Sequence, residues 1–326
     1  MFKFAVYAFL AAATTAAASA QTVKATIPTV LPTVGLAVNP VTNKIYVAAP
    51  SFGGATDTIL VLNGGTDKVI KQITVPVGAA NLPVVDYLRN IVYTVGCNTF
   101  SENFACIMTV INGKTDTVIT TKTLFTTPGD GILGVAINPI LNMIYVANGS
   151  ENLIDVVDAK TYSVAGTIST SDREPFGISF NSLNQRLYIP FFTDQIEVFD
   201  VIHNTRLADV SVGTVDANTA VNVVTGNVFV TDDVLGTASV GVLDKSGAIV
   251  ANVQVQDSPY GVDVDPVTNK AFVVSTGTAT LNVIDGKTNI LVSVVSGINA
   301  NYVAVNFASQ KVYLSGDNGI TVVSEK

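Results

Sequence analysis

A segment that recurs along most of the chain restricts the fold more than any other feature. Residues 35–47 read Gly-Leu-Ala-Val-Asn-Pro-Val-Thr-Asn-Lys-Ile-Tyr-Val, and close copies begin at Gly134 and Gly261. One aromatic residue marks the register of every copy, and the markers are Tyr46, Tyr93, Tyr145, Tyr188, Phe229, Phe272 and Tyr313. Neighbouring markers are 41 to 52 residues apart, and a four-stranded propeller blade takes about 40–45 residues. The seven copies therefore predict an all-β, seven-bladed β-propeller.

Each repeat divides into four predicted antiparallel strands, which we name a to d from the axis outward. In the first repeat they cover residues 36–38, 45–48, 59–62 and 69–75. Strands b and c are continuously apolar, which is typical of strands covered on both faces. Strand d mixes Lys71, Gln72 and Thr74 with valine and isoleucine, as expected of an outer strand.

The ends of the strands predict how the turns and the ring are closed. Strand a ends on an Asx residue in every repeat, at Asn39, Asp86, Asn138, Asn181, Asn222, Asp265 and Asn306. Such a side chain can accept a hydrogen bond from the backbone two residues on, so we interpret these residues as structural. The last repeat ends after strand c, and residues 22–27 form a lone strand of the d type. We expect that strand to pair in the last blade, making residues 21–326 one domain.

Composition and the N-terminus indicate an exported chain. Hydrophobic residues make up 48% of the 326 residues and charged residues 13%, which excludes intrinsic disorder. Residues 1–20 contain Lys3, a short apolar run and a small-residue ending, the pattern of a signal peptide cleaved before Gln21. An uncleaved anchor is the alternative.

We expect a secreted, periplasmic or cell-surface protein with no transmembrane segment after residue 20. The net charge of −8 argues against a nucleic-acid partner, because nucleic acids are also negatively charged.

The chain has two cysteines, Cys97 and Cys106, which flank a polar loop between two apolar runs. This placement predicts a disulfide across a β-hairpin in an oxidising compartment. A metal site would need further ligands, and no histidine lies nearby.

Several repeats carry a second recognisable sequence motif. Residues 145–148 read Tyr-Val-Ala-Asn, and residues 110–115, 156–161 and 283–288 share a Val-(Ile/Val)-(Asn/Asp)-(Gly/Ala)-Lys-Thr pattern. In these motifs the chain resembles the YVTN-repeat family of β-propellers. The resemblance covers nearly all of residues 21–326 and implies a bacterial exported or surface-layer propeller. It transfers no catalytic motif to this chain.

The b–c and d–a loops of a propeller share one face, and here they are the longer and more variable ones, so we expect partner binding there. Aromatic residues mark this predicted surface, and they are Phe52, Phe100, Phe104, Phe191 and Phe192. Packing of these rings onto the blade tops is the alternative. Residues 172–174, Asp-Arg-Glu, are interpreted as solvated surface on the same face.

Candidate chemistry is sparse. The single histidine, His203, excludes sites that need two histidines. Asp263 replaces a small residue of the axial strand and, with Asp216 and Asp257, is a weak candidate for holding a divalent cation in the channel; a water-filled channel wall is the alternative. We therefore predict a monomeric, non-catalytic binding protein without a cofactor, whose partner is a protein or cell-envelope component. The alternative is a metal-assisted, lactonase- or lyase-like enzyme with its site at the channel mouth.

Overall fold

In the computed structural model the described residues are 21–99, 103–171, 173–193, 195–213, 218–232 and 238–325. They form 28 β-strands and contain no helix that could span a membrane. The strands make seven four-stranded sheets. The predicted signal peptide, residues 1–20, lies outside the described residues.

The strands follow one another blade by blade. The first strand, β1 (Val23–Ile27), belongs to the last blade. Blade 1 contains β2 (Leu36–Asn39), β3 (Lys44–Ala49), β4 (Thr56–Asn63) and β5 (Lys68–Pro76). Blade 2 contains β6 (Leu82–Asp86), β7 (Ile91–Cys97), β8 (Cys106–Asn112) and β9 (Thr117–Phe125). Blade 3 contains β10 (Ile132–Asn138), β11 (Met143–Asn148), β12 (Leu153–Asp158) and β13 (Ser163–Ser169).

The remaining blades have the same plan. Blade 4 contains β14 (Ser179–Asn181), β15 (Arg186–Pro190), β16 (Gln195–Asp200) and β17 (Thr205–Ser211). Blade 5 contains β18 (Thr219–Val221), β19 (Val228–Asp232), β20 (Ser239–Leu243) and β21 (Ile249–Gln254). Blade 6 contains β22 (Pro259–Asp265), β23 (Lys270–Ser275), β24 (Thr280–Asp285) and β25 (Ile290–Ser296). Blade 7 contains β26 (Tyr302–Asn306), β27 (Lys311–Gly316) and β28 (Gly319–Ser324).

Blade 7 is completed by the N-terminal strand, as the sequence predicts. Its sheet has the order β1-β28-β27-β26, and β1 pairs antiparallel with β28, with Ala25 opposite Val322 and Ile27 opposite Ile320. The strand from the start of the chain thus covers the outer edge of β28 and removes an exposed sheet edge.

Hydrophobic cores lie between blades rather than within them. The described residues form seven buried clusters, and each combines side chains of two neighbouring blades. Strand b explains why: in blade 1, Tyr46 packs toward blade 2, whereas Ile45 and Val47 pack toward blade 7. The seven aromatic markers are all buried. A blade is therefore covered on both faces only when the ring is closed.

Glycine at the start of strand a lets neighbouring blades approach at the axis. A Cβ on Gly35 would lie 2.4 Å from the carbonyl oxygen of Asn81, and one on Gly261 would lie 2.4 Å from that of Asn301. In both cases the clash is with backbone that leads into the next blade. The recurring glycine of the repeat thus has a packing reason.

The Asx residues close their turns and also join the blades. The Oδ1 of Asn39 accepts hydrogen bonds from the backbone N–H groups of Val41 and Thr42, at 3.1 and 3.2 Å. Its Nδ2 donates to Oδ1 of Asn90 in blade 2 at 2.9 Å. The same bond to the next blade is made by Asn138 to Gln185, by Asn222 to Asn269 and by Asn306 to Asn43. The structural interpretation of these residues is confirmed.

Candidate functional site

Charged side chains are distributed unequally between the two faces of the ring. We call the face with the b–c and d–a loops the loop face, and the opposite face, with the a–b and c–d turns, the turn face. Every described lysine lies on the turn face or on an outer strand: Lys24, Lys44, Lys68, Lys71, Lys114, Lys122, Lys160, Lys245, Lys270, Lys287 and Lys311. The loop face carries the acidic residues Asp57, Asp130, Glu151, Asp155, Glu174, Asp257 and Asp317. The turn face also has carboxyl groups, but its lysines balance them; the loop face lacks lysines in its described part and is therefore the more acidic face.

Two of these carboxyl groups interact directly. Asp130 lies in the loop before blade 3 and Glu174 in the loop before blade 4. Partial burial, a hydrogen bond with Asp130 and the charge of Asp130 together raise the pKa of Glu174 to about 6. The pair therefore retains a proton up to about pH 6, a sign of concentrated negative charge.

An aromatic row crosses the loop-face mouth of the central channel. Phe192 packs edge-on against Phe176, with ring centroids 4.7 Å apart. The ring centroid of Phe176 lies 6.4 Å from that of Tyr260, and the ring centroid of Tyr260 lies 5.7 Å from that of Tyr302. Tyr302 also lines a cavity of about 190 Å³ at this mouth, together with Asn218. Three of the four rings come from positions just before or at the start of strand a. Alignment of the repeats could therefore have identified these three positions from the sequence.

The predicted aromatic surface is only partly realised. Phe52 is 60% exposed and Phe192 39% exposed, whereas Phe104 is half-buried against the core between blades 2 and 3. Phe191 is fully buried in the core between blades 3 and 4. Its prediction as an exposed contact is wrong because Phe191 continues the pairing of β15 by one residue, opposite Pro175, on the side of the strand that packs against blade 3. Phe100 lies outside the described residues.

The predicted disulfide is confirmed. Cys97 ends β7, Cys106 begins β8, and the two are joined directly across the pair of strands. Cys97 also lines a cavity of about 170 Å³ between blades 1 and 2, with Phe52 and Asp57. The Asp57 carboxylate in this cavity already has hydrogen-bond donors within the protein: it accepts hydrogen bonds from the backbone N–H groups of Ser51 at 2.9 Å and Gly78 at 2.7 Å.

Arg173 is a structural residue, and its interpretation as solvated surface is wrong. Its guanidinium donates to Gln195 and Glu197 at 3.0 Å and lies 4.0 Å above the ring of Phe191. Glu197 is buried in the seam between blades 3 and 4, where Arg206 also approaches it at 3.3 Å. Arg173 is thus needed to balance a buried carboxylate, and it offers little free charge to a partner.

The acidic residues named for a channel cation are not brought together among the described residues. Asp263 lines the part of the channel that opens on the turn face. Asp257 is exposed on the loop face, and Asp216 lies outside the described residues. Within the ranges that the structure describes, no group of three or more His, Cys, Asp or Glu side chains is placed to hold a metal ion.

Two further candidates are defined by their contacts. Burial raises the pKa of Asp263 to about 6, against the lowering effect of hydrogen bonds donated by the backbone N–H groups of Val305 at 2.7 Å and Val264 at 2.8 Å. His203 lies in an exposed c–d turn on the turn face, with Nδ1 2.9 Å from the carboxylate of Asp200. The histidine is far in the fold from the loop-face features.

Comparisons with known proteins support the fold alone. No protein-family model and no curated protein sequence matches this chain. Among solved structures, the chain is similar to a chain of the Kuenenia stuttgartiensis hydrazine synthase, with a TM-score of 0.70 and 18% sequence identity, covering 91% of this chain and 97% of that chain. At this identity the similarity concerns the fold and carries no activity across. The propeller fold is shown, and the YVTN-repeat family stays a resemblance.

Proposed function

We propose that the protein is an extracytoplasmic binding module whose loop face takes a cationic partner, such as a basic segment of a protein or of another cell-envelope component. The observation that carries this proposal is the acidic, lysine-free loop face with an aromatic row across its centre. Binding, rather than catalysis, is the function that this arrangement supports best.

Electrostatics favour a basic partner. Complementary potentials steer encounters and reject partners of like charge. Asp130 and Glu174 lie close enough to share a proton, so a cationic group placed between them would relieve their repulsion. Binding of a cation there would lower the pKa of Glu174 and release a proton near pH 6.

The aromatic row supplies the apolar part of such a surface. Exposed ring faces attract ammonium and guanidinium groups, and aromatic residues are frequent energetic anchors of interfaces. Phe192 is the exposed end of the row, and Phe176 beneath it is buried and fixes its position. The row is therefore a rigid platform beside the acidic pair.

A location outside the cytoplasm is supported by the disulfide Cys97–Cys106, since such bonds form and persist in oxidising compartments. The signal-peptide pattern of residues 1–20 points the same way.

The test is calorimetric titration of the protein with a short oligolysine peptide and with an oligoglutamate peptide at low salt. We expect oligolysine to bind and oligoglutamate not to bind. A variant with Asp130→Asn, Glu174→Gln and Phe192→Ala should weaken oligolysine binding by about tenfold or more.

A matched control places the same net charge change on the other face. Thr42 and Thr288 are exposed in turns of the turn face, so a Thr42→Lys, Thr288→Lys variant also raises the net charge by about two. Equal weakening in the two variants would show that only net charge matters and would overturn the assignment of the loop face.

A further inference from the structure

The central channel widens into an apolar funnel on the turn face. Its volume is about 660 Å³, within the range of pockets that hold small organic molecules. The walls are the axial strands of blades 1, 2, 5, 6 and 7, and they include Val38, Val84, Val221, Val264, Val305 and Phe307. This funnel opens on the face opposite the loop-face features on which the proposed function rests, and it shares channel wall with the loop-face cavity only at Leu36, Pro83, Val262 and Val303.

The rim of the funnel is also apolar. The a–b turns place Val41 and Val267 at their tips, 71% and 73% exposed. Tyr87 and Val223 continue the rim and line the funnel as well. Turn tips are ordinarily polar, and a set of apolar tips around one cavity marks a binding surface rather than scattered exposure.

One charged side chain faces this apolar space. Asp263 is the only charged residue among the described residues that line the funnel. Its two carboxylate oxygens accept one backbone hydrogen bond each, from Val264 and Val305. The described residues give it no basic partner, and the charge that acts on its pKa is the like charge of Asp265. A carboxylate in an apolar wall without a counter-ion is costly, so a cation supplied from outside would be stabilised there.

The bases beside strand a in the blades that wall the funnel already have partners. Lys270, in the strand next to that of Asp263, donates to the backbone oxygen of Glu325 at 3.4 Å. Lys44 bonds Asp116 and Lys311 bonds Asp67, each at 2.7 Å, and Arg89 bonds Asp86 at 2.8 Å. They therefore neither neutralise Asp263 nor offer a free positive charge to an anionic ligand. A metal ion is also a poor fit, because calcium takes six to eight oxygen ligands and magnesium six.

From this geometry we propose that the turn-face funnel binds an elongated apolar molecule with a single cationic amine. The apolar body lies against the valines of the axial strands, and the ammonium group bonds the carboxylate of Asp263. The uncompensated charge at the wall selects the head group, and the valine lining selects the tail.

The test compares three ligands that share one tail. Decylamine, decanol and decanoate are titrated below their micelle concentrations against the protein loaded with N-phenyl-1-naphthylamine, and displacement is followed by fluorescence. We expect decylamine to bind at least about tenfold more tightly than decanol, and decanoate to bind most weakly. Equal affinities would overturn the assignment of Asp263 as the head-group site.

Two variants separate the head-group site from the tail site. Asp263→Asn should reduce decylamine binding to the level of decanol and leave decanol unchanged. The control is Asp285→Asn on the same face, where asparagine already serves the equivalent turns at Asn63 and Asn112; it should leave all three affinities unchanged. If the control weakens decylamine as much as Asp263→Asn does, a general charge effect replaces the proposal.

The tail site is tested at the rim, where folding is not at risk. Val223 is exposed, so Val223→Gln should weaken all three ligands together without lowering the melting temperature. If none of the ligands displaces the dye, whether because a second copy or another protein covers the face or because the funnel stays hydrated, the proposal is wrong. This outcome would leave the loop-face proposal intact, because the oligolysine test reads the other face.

Discussion

At the scale of the residue, the buried tyrosines of strand b do more than fill space. The hydroxyl group of Tyr313 donates to Oδ1 of Asp67 at 2.6 Å, and Lys311 bonds the same carboxylate. Asp67 belongs to the c–d turn of blade 1, so this contact joins blade 7 to blade 1. Lys44, Tyr46 and Asp116 repeat it between blades 1 and 2. The Lys-x-Tyr element of the repeat is therefore a link between neighbouring blades.

The first prediction measures one such hydroxyl group. Tyr313→Phe removes the donor to Asp67 and should lower the free energy of unfolding by about 1–2 kcal/mol, because the acceptor is charged. Urea-induced unfolding provides the measurement. Tyr188→Phe is the matched control: both tyrosines are fully buried, but the hydroxyl of Tyr188 has no hydrogen-bond partner in the described part of the chain. Removing the Tyr188 hydroxyl should leave the free energy of unfolding unchanged or raise it. An equal loss of unfolding free energy in the two variants would refute this role of Asp67.

At the scale of the element, the strands and turns were predictable because two local signals agree. The mixture of polar and apolar residues in strand d and the apolar runs of strands b and c follow directly from how a blade is covered. The Asx residue at the end of strand a marks each turn by its own side-chain chemistry. The pairing of β1 in the last blade followed from counting, since one repeat lacked a strand and the chain began with a spare one.

The prediction failed at two residues that it assigned to loops. Phe191 and Phe192 are adjacent, and only the second is exposed. Leu187, Ile189 and Phe191 all pack in the core between blades 3 and 4, so the alternation of β15 continues one residue past its end, where the sequence prediction places the b–c loop. Arg173 lies in the loop before blade 4, and its partner Glu197 is 24 residues further along the chain, in β16, so nothing local in the sequence indicates the pair.

The second prediction concerns the hairpin that carries the disulfide. Replacing Cys97 and Cys106 by alanine together should lower the free energy of unfolding by about 2–3 kcal/mol, the chain-entropy value for closing a short loop. Urea unfolding of the double variant measures this. Wild-type protein unfolded under a thiol reductant should show the same loss. If the reductant also lowered the free energy of unfolding of the alanine variant, its effect on the wild type could not be assigned to the disulfide.

At the scale of the whole molecule, the separation of charge could be inferred in part from the repeat. Lysines recur in the c–d turns and at the start of strand b, and both positions belong to the turn face of a propeller. The position of three rings of the aromatic row could be read from the repeat, but their contacts and the Asp130–Glu174 pair could not. These contacts join different blades: Phe176 before blade 4 meets Tyr260 of blade 6, and Asp130 and Glu174 lie in the loops before blades 3 and 4.

Ring closure also buries a carboxyl group at the seam between blades 6 and 7. The backbone oxygen of Glu325 accepts a hydrogen bond from Nε2 of Gln21 at 3.2 Å, and its Oε1 accepts one from Thr268 in blade 6 at 2.9 Å. Burial and the adjacent Asp265 raise the pKa of Glu325 to about 8. Burial acts in the same direction on Asp265, but hydrogen bonds from Glu325 and from the backbone of Val267 and Thr268 hold the pKa of Asp265 below its usual range. The pair therefore holds one proton, and that proton is on Glu325.

The third prediction follows from the sign of this shift. The folded protein keeps the Glu325 proton up to about pH 8, while the unfolded chain releases it at the ordinary glutamate pKa of 4.5. The seam therefore loses stability as pH rises between these two values and changes no further above them. Glu325→Gln keeps a donor toward Asp265 without a titrating proton. It should therefore raise the free energy of unfolding at pH 8 by about 4 kcal/mol, with the gain disappearing toward pH 4.5. Thermal unfolding across this pH range measures the difference.

The control is Asp317→Asn, at an exposed position of blade 7. Its free energy of unfolding should vary with pH in parallel with that of the wild type. If the curve of Glu325→Gln is also parallel to that of the wild type, the proton held by Glu325 at the seam is refuted.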